Sequence, residues 1–254
     1  MPPDEVLADE DATRSRVAIA TWIAAATTLA GAIISAIAFN GLPSYDDRVV
    51  TITDALGDLT TGTAIPQGRA ALQLVYIGDH PVPFAIGPLL SGIGGVLMFF
   101  TLSYLYRASQ RRSGQPGGIA IVAAAVGAVS YGLGTALVGV LRVVEGTGLD
   151  ATATNSDALD AVGSGPIVIG TILQLLGSLT LGFAFVLMSL HAMRAGLLTR
   201  FMGILGMIAG ATFVLPLDQQ GIIRSFWLGA AGFVIARRWP TPIPAWQTGR
   251  AEPW

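Results

Sequence analysis

Few side chains in this sequence are of the types that perform acid–base or metal chemistry. Asp79 and His80 stand together, and a carboxylate beside an imidazole could act as a base or contribute ligands to a metal ion. A metal site needs three or four convergent ligands, and the second histidine, His191, lies far along the chain. Pro81 and Pro83 favour a rigid turn here. Asp79 and His80 are therefore a weak candidate site.

Several other chemistries are excluded by composition. All 14 basic residues are arginine, so no lysine can form a Schiff base or hold a nucleotide phosphate in a Walker-type loop. The chain has no cysteine, which excludes disulfides, thiolate nucleophiles and thiolate metal sites. We expect no bound cofactor, no metal site and no catalytic residues.

Uncharged polar side chains within apolar runs form a second group of candidates, Tyr131, Gln174 and Ser178. The Gln174 amide is costly to bury in hydrocarbon. It therefore either bonds a neighbouring helix or contacts a polar solute or water. No ionisable residue lies in the middle of an apolar run, which counts against proton-coupled transport and voltage sensing.

The composition that surrounds these residues is that of a membrane protein. Of the 254 residues 52% are hydrophobic and 12% charged, and the mean hydropathy is +0.64. A soluble domain is about one quarter charged. We expect an all-α integral membrane bundle that has the lipid bilayer as its solvent and no nucleic acid as a partner.

Six apolar runs predict six transmembrane helices. A helix needs about 20 residues to cross the hydrocarbon core, and the first four runs reach that length. The last two are shorter. We read them as a hairpin with its turn at 217–221 and with Arg224 extending to the interface; the alternative is a shallower hairpin. The predicted spans are 17–39, 84–106, 119–141, 166–190, 201–217 and 222–236.

The arginines predict the orientation. With the N-terminus inside, ten arginines lie in cytoplasmic segments and four in outer segments. The sequence therefore predicts a multi-pass protein of the cell membrane with both termini in the cytoplasm. The segment Ala36-Ile37-Ala38 resembles a signal-peptidase site, but the preceding apolar run is too long and the N-terminus is acidic, so we expect a retained anchor.

The segments outside the spans complete the predicted organisation. Residues 1–16 are acidic and predict a disordered cytoplasmic tail, whereas 237–254 are rich in Pro and Trp and predict an extended strap along the inner interface. The outer segments 40–83 and 142–165 predict a small helical cap. Within them, 44–62 has apolar residues at helical spacing and 67–78 is a second apolar stretch, so one or two short helices are expected on the membrane surface. Another short helix is expected to begin near Ser156.

The C-terminal quarter carries a resemblance. The segments 191–206, 225–229, 237–240 and 244–254 resemble an uncharacterised family of small polytopic membrane proteins of actinobacterial type, defined as a domain of unknown function. The resemblance covers about residues 191–254. It implies a polytopic bundle and no particular activity.

Three classes of function remain. The lack of intramembrane charge and the Pro/Trp tail favour a non-catalytic scaffold, regulator or accessory subunit, which acts through a membrane-protein partner or as a homo-oligomer. The first alternative is a carrier or channel for a neutral or lipid-like solute, with Gln174, Ser178 and Tyr131 as contacts. The second is a membrane enzyme with its chemistry near Asp79 and His80.

Overall fold

The computed structural model describes residues 2–42, 69–113, 117–150, 152–215, 218 and 221–252. This part of the chain is all-helical, as predicted. The outer segment 44–62, where a helix was expected, lies outside the described residues. The helices are α1 Pro3–Asn40, α2 Arg69–Asp79, α3 Pro81–Ser113, α4 Gly118–Thr147, α5 Asn155–Val162, α6 Gly165–Arg194, α7 Arg200–Ala211, α8 Ile222–Ile235 and α9 Ala245–Thr248.

Four of these helices, α1, α3, α4 and α6, are long and apolar enough to cross a membrane. They contain 38, 33, 30 and 30 residues and lie where the first four spans were predicted. Helices α7 and α8 are also apolar but have 12 and 14 residues. At 1.5 Å per residue they are about 18 and 21 Å long, shorter than a hydrocarbon core of about 30 Å. Six complete spans therefore stay a prediction.

The helices pack as a ring. Among the described residues, extended contacts run from α1 to α3, α3 to α4, α4 to α6, α6 to α7, α7 to α8, and α8 back to α1. Glycines permit the close crossings. A Cβ on Gly92 of α3 or Gly132 of α4 would lie 2.5 or 2.6 Å from the other's carbonyl oxygen. The small residues at this crossing thus permit backbone-to-backbone packing.

The acidic N-terminal segment is helical, and the prediction of a disordered tail was wrong. Helix α1 begins at Pro3, and its first turns pack against the last turn of α3. Glu10 is 2% exposed and forms an ion pair with Arg112, with one bond of 3.0 Å from Nη2 to Oε2. Asp9 pairs with Arg111 on the surface. These partners lie about 100 residues away, so composition alone did not reveal them.

The C-terminal segment packs against the bundle, whereas the sequence predicted an extended strap. Trp246 is 2% exposed and donates from Nε1 to the carbonyl oxygen of Leu197 at 2.9 Å. Its ring stacks on Tyr104, with the ring centroids 5.7 Å apart. Arg112 donates from Nε to the carbonyl oxygen of Ala245 at 3.2 Å. The two termini therefore meet at one end of the bundle, the tail end, where they cover α3 and the α6–α7 loop.

Helices α2 and α5 pack together at the opposite end, the cap end. The short helix expected near Ser156 is present as α5 and begins with a capping box. Thr154 Oγ1 accepts from the Asp157 backbone N–H, and the Asp157 carboxylate accepts from the Thr154 backbone N–H at 2.7 Å. The Thr154 backbone N–H and, after it, the Thr154 hydroxyl donate to the Asp157 carboxylate and hold the pKa of Asp157 below its ordinary value. The negative charge of Asp157 also stabilises the N-terminus of α5 through the helix dipole.

Removal of the Glu10 charge tests the arrangement at the tail end. Glu10→Gln leaves the Arg112 guanidinium buried without its counter-ion, so we expect the free energy of unfolding to fall by about 3–5 kcal/mol. The adjacent Asp9→Asn is the matched control, since that pair is exposed and should lose less than about 1 kcal/mol. Denaturant unfolding in detergent, followed by tryptophan fluorescence, measures both. Equal losses for the two variants would contradict a buried Glu10.

Candidate functional site

The turn between α7 and α8 carries a buried ion pair. Asp218 is 6% exposed, and its carboxylate oxygens accept from the backbone N–H groups of Ile223 and Arg224 at 3.2 Å each. It therefore caps the N-terminus of α8. Gly221, the residue before this helix, has a φ of +63°, a left-handed conformation that a residue with a Cβ rarely adopts. The tight turn brings the Arg224 side chain back over Asp218.

Arg224 is enclosed by its partners. Its Nε donates to Asp218 Oδ2 at 3.3 Å and its Nη2 donates to the Asp218 carbonyl oxygen at 2.8 Å. Its Nη1 donates to the Tyr131 hydroxyl at 3.2 Å. The guanidinium carbon lies 4.6 Å from the centre of the Phe213 ring, within the range of a cation–π contact. Arg224 is 8% exposed. The expectation that it extends to the interface was wrong.

The ion pair lies deep in the bundle because the hairpin that carries it is short. Tyr131, which contacts Arg224, lies near the middle of α4. A Cβ built on Gly221 would lie 3.3 Å from Thr28 Cγ2 of α1, about 12 residues before that helix ends. The hairpin tip is therefore about 18 Å below the cap end of α1. The absence of charge at depth, inferred from the apolar runs, does not hold for the assembled structure.

A cavity of about 420 Å³ extends from the hairpin tip toward the cap end. Its volume falls within the ~300–1,000 Å³ of typical small-molecule sites. Helices α1, α3, α4 and α6 form its walls, and the start of α8 contributes its floor. Small and aromatic residues of α1 line one side. The polar residues that line it include Asn40, Ser91, Tyr131, Thr135, Gln174 and Arg224.

Three of these polar groups retain hydrogen-bonding capacity. The Gln174 amide makes no hydrogen bond with another described residue. Thr135 Oγ1 is buried and likewise has no partner in the described part of the chain. The Arg224 guanidinium has five N–H groups, of which the recorded bonds use three. Hydrogen-bonding groups from α4, α6 and α8 that have unused capacity therefore surround one cavity.

The structure separates the residues that the sequence grouped as intramembrane contacts. Tyr131 and Gln174 line the same cavity, although they belong to different helices. Ser178 lies one turn further along α6 and does not line it. The interhelical bond considered for Gln174 is not formed with any described residue.

The outer candidates Asp79 and His80 do not lie in a pocket that the structure describes. Both are exposed at the end of α2. The His80 ring stacks on Tyr76, with centroids 4.1 Å apart, and its Nδ1 donates to the Tyr76 carbonyl oxygen at 3.0 Å. No three His, Asp or Glu side chains of the described residues converge as metal ligands. Local stacking and hydrogen bonding account for the orientation of His80.

Asp218 and Arg224 were not predicted as site residues, because the turn at 217–221 was expected at the membrane interface, with Arg224 extending to it. One signal was available in the lengths of the two last apolar runs, 17 and 15 residues against 23 or more in the others. A hairpin of such helices ends inside the bundle, and any charge in its turn is then buried. The buried charge of Asp218 is compensated locally, because Arg224, six positions later, pairs with it.

Comparison with known proteins found no family model that matches the chain, no similar curated protein and no solved structure of similar fold. The resemblance of residues 191–254 to an uncharacterised membrane family therefore stays a prediction. The candidate site rests on its own geometry.

A double-mutant cycle tests the ion pair. Asp218→Asn removes the charge and keeps one of the two oxygens that cap α8, and Arg224→Gln removes the cation. Each change should cost about 3–5 kcal/mol of unfolding free energy. Because either single change leaves one buried charge unpaired, the double variant should lose at least about 1 kcal/mol less than the sum. Chemical unfolding in detergent gives the three values. The control is the more solvated pair Asp11 and Arg14, whose side chains are 47% and 26% exposed, with coupling below about 0.5 kcal/mol. Additive losses at Asp218 and Arg224 would show that the two charges are independently solvated.

Proposed function

We propose that the chain is a multi-pass protein of the cell membrane with both termini in the cytoplasm and with the cap end outside. Four long apolar helices and the arginine excess at the tail end support this orientation. We place the α7–α8 hairpin as a re-entrant element that enters from the cytoplasmic side. Because a hairpin returns to the side from which it starts, both a re-entrant hairpin and two full spans leave the C-terminus inside.

We further propose that the protein binds a neutral solute in the cavity above the hairpin and carries it across the membrane. The observation behind this proposal is the convergence of Thr135, Gln174 and Arg224 on one cavity of ligand size. Thr135 and Gln174 have no hydrogen-bond partner among the described residues, and Arg224 has N–H groups beyond those that bind Asp218 and Tyr131. Buried polar groups without partners are costly in a low-dielectric interior. A solute that donates and accepts hydrogen bonds removes that cost when it binds. The role is carriage without a chemical step.

The charges at the site favour a neutral solute. Arg224 is the only cation among the described lining residues, and Asp218 neutralises it at 3.3 Å. An anion would have to compete with Asp218 for the Arg224 guanidinium, and the guanidinium would repel a cation. The other polar groups of the cavity, hydroxyls and amides, bind neutral hydroxyl, carbonyl or amide groups.

Carriage requires that the floor of the cavity opens toward the cytoplasm in a second state. In the present state Tyr131, Phe213 and Arg224 close the cavity below, since the Tyr131 and Phe213 rings pack edge to face with centroids 5.2 Å apart. The hairpin is held by α1 and α6 on its two sides. Displacement of its tip would connect the cavity to the tail end, as in alternating access around a fixed site.

The scaffold or accessory-subunit function expected from the sequence stays a prediction. It requires no ligand, so it offers no account of the unpaired groups in the cavity. A protein partner or a homo-oligomer is compatible with the carrier proposal as well.

Native mass spectrometry of the protein, extracted in its own lipid from cells with natural expression, tests the proposal. We expect a stoichiometric small molecule or lipid on the wild-type protein and its loss in Gln174→Leu, because the amide bonds to the ligand disappear. Ser178→Ala, one turn away and outside the cavity, is the matched control and should retain it. A protein that carries no small molecule but always a protein partner would contradict the carrier proposal and favour the accessory subunit.

A further inference from the structure

Among the described residues, α7 and α8 close the ring of helices between α1 and α6. In the described residues no extended contact joins α1 directly to α6, and the hairpin fills the interval between them. The hairpin ends about 18 Å below the cap end of α1. Above its tip, this interval is where the cavity lies, since Ala32 and Ala36 of α1 and Gln174 of α6 line it together with Gly221 and Arg224.

The two edges of this interval are apolar on their outer faces. On α1, Ile33 and Ile37 are 49% and 67% exposed, and on α6 Ile172 and Leu175 are 51% and 60% exposed. Exposed apolar side chains on a membrane helix face the hydrocarbon of the bilayer. The polar groups lie further in, at the hairpin tip and on α4. From the lipid side inward, the interval therefore changes from hydrocarbon-facing edges to a hydrogen-bonding interior.

We infer that the ligand is a neutral single-chain amphiphile that enters sideways from the outer half of the bilayer, between α1 and α6. Its hydroxyl- or ester-bearing head contacts Gln174, Thr135 and Arg224, and its hydrocarbon chain leaves between Ile37 and Leu175. This inference rests on the proposed carrier function and names its substrate class. It differs from carriage of a water-soluble solute, which would reach the cavity through the cap end.

The polarity of the cavity selects the head group. Arg224 is already paired with Asp218, so an anionic phosphate or carboxylate head would place a net negative charge in the interior. A glycerol-type head instead offers hydroxyl donors and acceptors to the Gln174 amide and the Thr135 hydroxyl. The small side chains of Ala32 and Ala36 leave room for it on the α1 side.

Site-directed spin labelling tests both the route and the ligand class. The chain has no cysteine, so Ala36→Cys in the full-length protein gives a single labelling site in the cavity wall. Ile23→Cys, on the same helix but below the hairpin tip and outside the interval, is 47% exposed and is the lipid-facing control. Each labelled protein is reconstituted in phosphatidylcholine vesicles. Power saturation then compares collision with oxygen, which partitions into hydrocarbon, and with a water-soluble nickel chelate.

We expect the label at position 36 to be accessible to oxygen and shielded from the nickel chelate. Added 1-monooleoylglycerol should lower its oxygen accessibility severalfold, while position 23 stays unchanged. In an Ala36→Cys, Gln174→Leu background, about tenfold more monooleoylglycerol should be needed, the factor that corresponds to the loss of about one hydrogen bond. Glycerol and the anionic 1-oleoyl lysophosphatidic acid should have no effect.

The other outcomes separate this inference from the carrier proposal. Strong collision with the nickel chelate, together with protection by glycerol, would overturn the lateral route and leave carriage of a water-soluble solute in place. Protection by lysophosphatidic acid in preference to monooleoylglycerol would overturn selection of a neutral head. Failure of every probe overturns the amphiphile assignment, whereas only the ligand-free native mass spectrum overturns the carrier itself.

Discussion

A helix must rise about 30 Å to cross the hydrocarbon core, and the α7–α8 hairpin does not reach that height. Its helices have 12 and 14 residues, and this shortfall shapes the rest of the bundle. It places a polar turn inside the protein, where the charges of Asp218 and Arg224 must neutralise each other. It also leaves an interval between α1 and α6 that no described helix fills, and the cavity occupies it.

Two buried arginines hold the bundle at different levels. Arg112 at the tail end binds Glu10 of α1 and the Ala245 carbonyl oxygen, and so joins three distant segments of the chain. Arg224 in the interior binds Asp218 and Tyr131 and so joins the hairpin tip to α4. In both cases the arginine has a carboxylate as its counter-ion and at least one further hydrogen-bond acceptor. Arg224 differs because it also faces a cavity and retains N–H groups for a ligand.

Much of the architecture was predictable from hydropathy. The four long helices lie at the predicted apolar runs, and α5 begins within two residues of the expected start. The errors concern segments whose partners are remote. The acidic residues before position 17 were predicted to be disordered, yet Glu10 is buried against Arg112. Trp246 was expected at a membrane interface, yet its indole N–H bonds the Leu197 carbonyl oxygen. Local composition carries no information on such pairs.

The sequence by itself determined three things: the chain suits a lipid environment, it is all-α, and the predicted intramembrane contacts are uncharged. These follow from the lengths of the apolar runs and from residue type. It also identified Tyr131 and Gln174 as polar groups that need partners. Only the tertiary structure decided that these two line one cavity, that Ser178 does not, and that Arg224 forms the floor. The physical reason is that a helix pattern specifies which face is apolar but not the height at which a neighbouring helix ends. That height decides which polar groups are covered by protein and which remain open to a ligand.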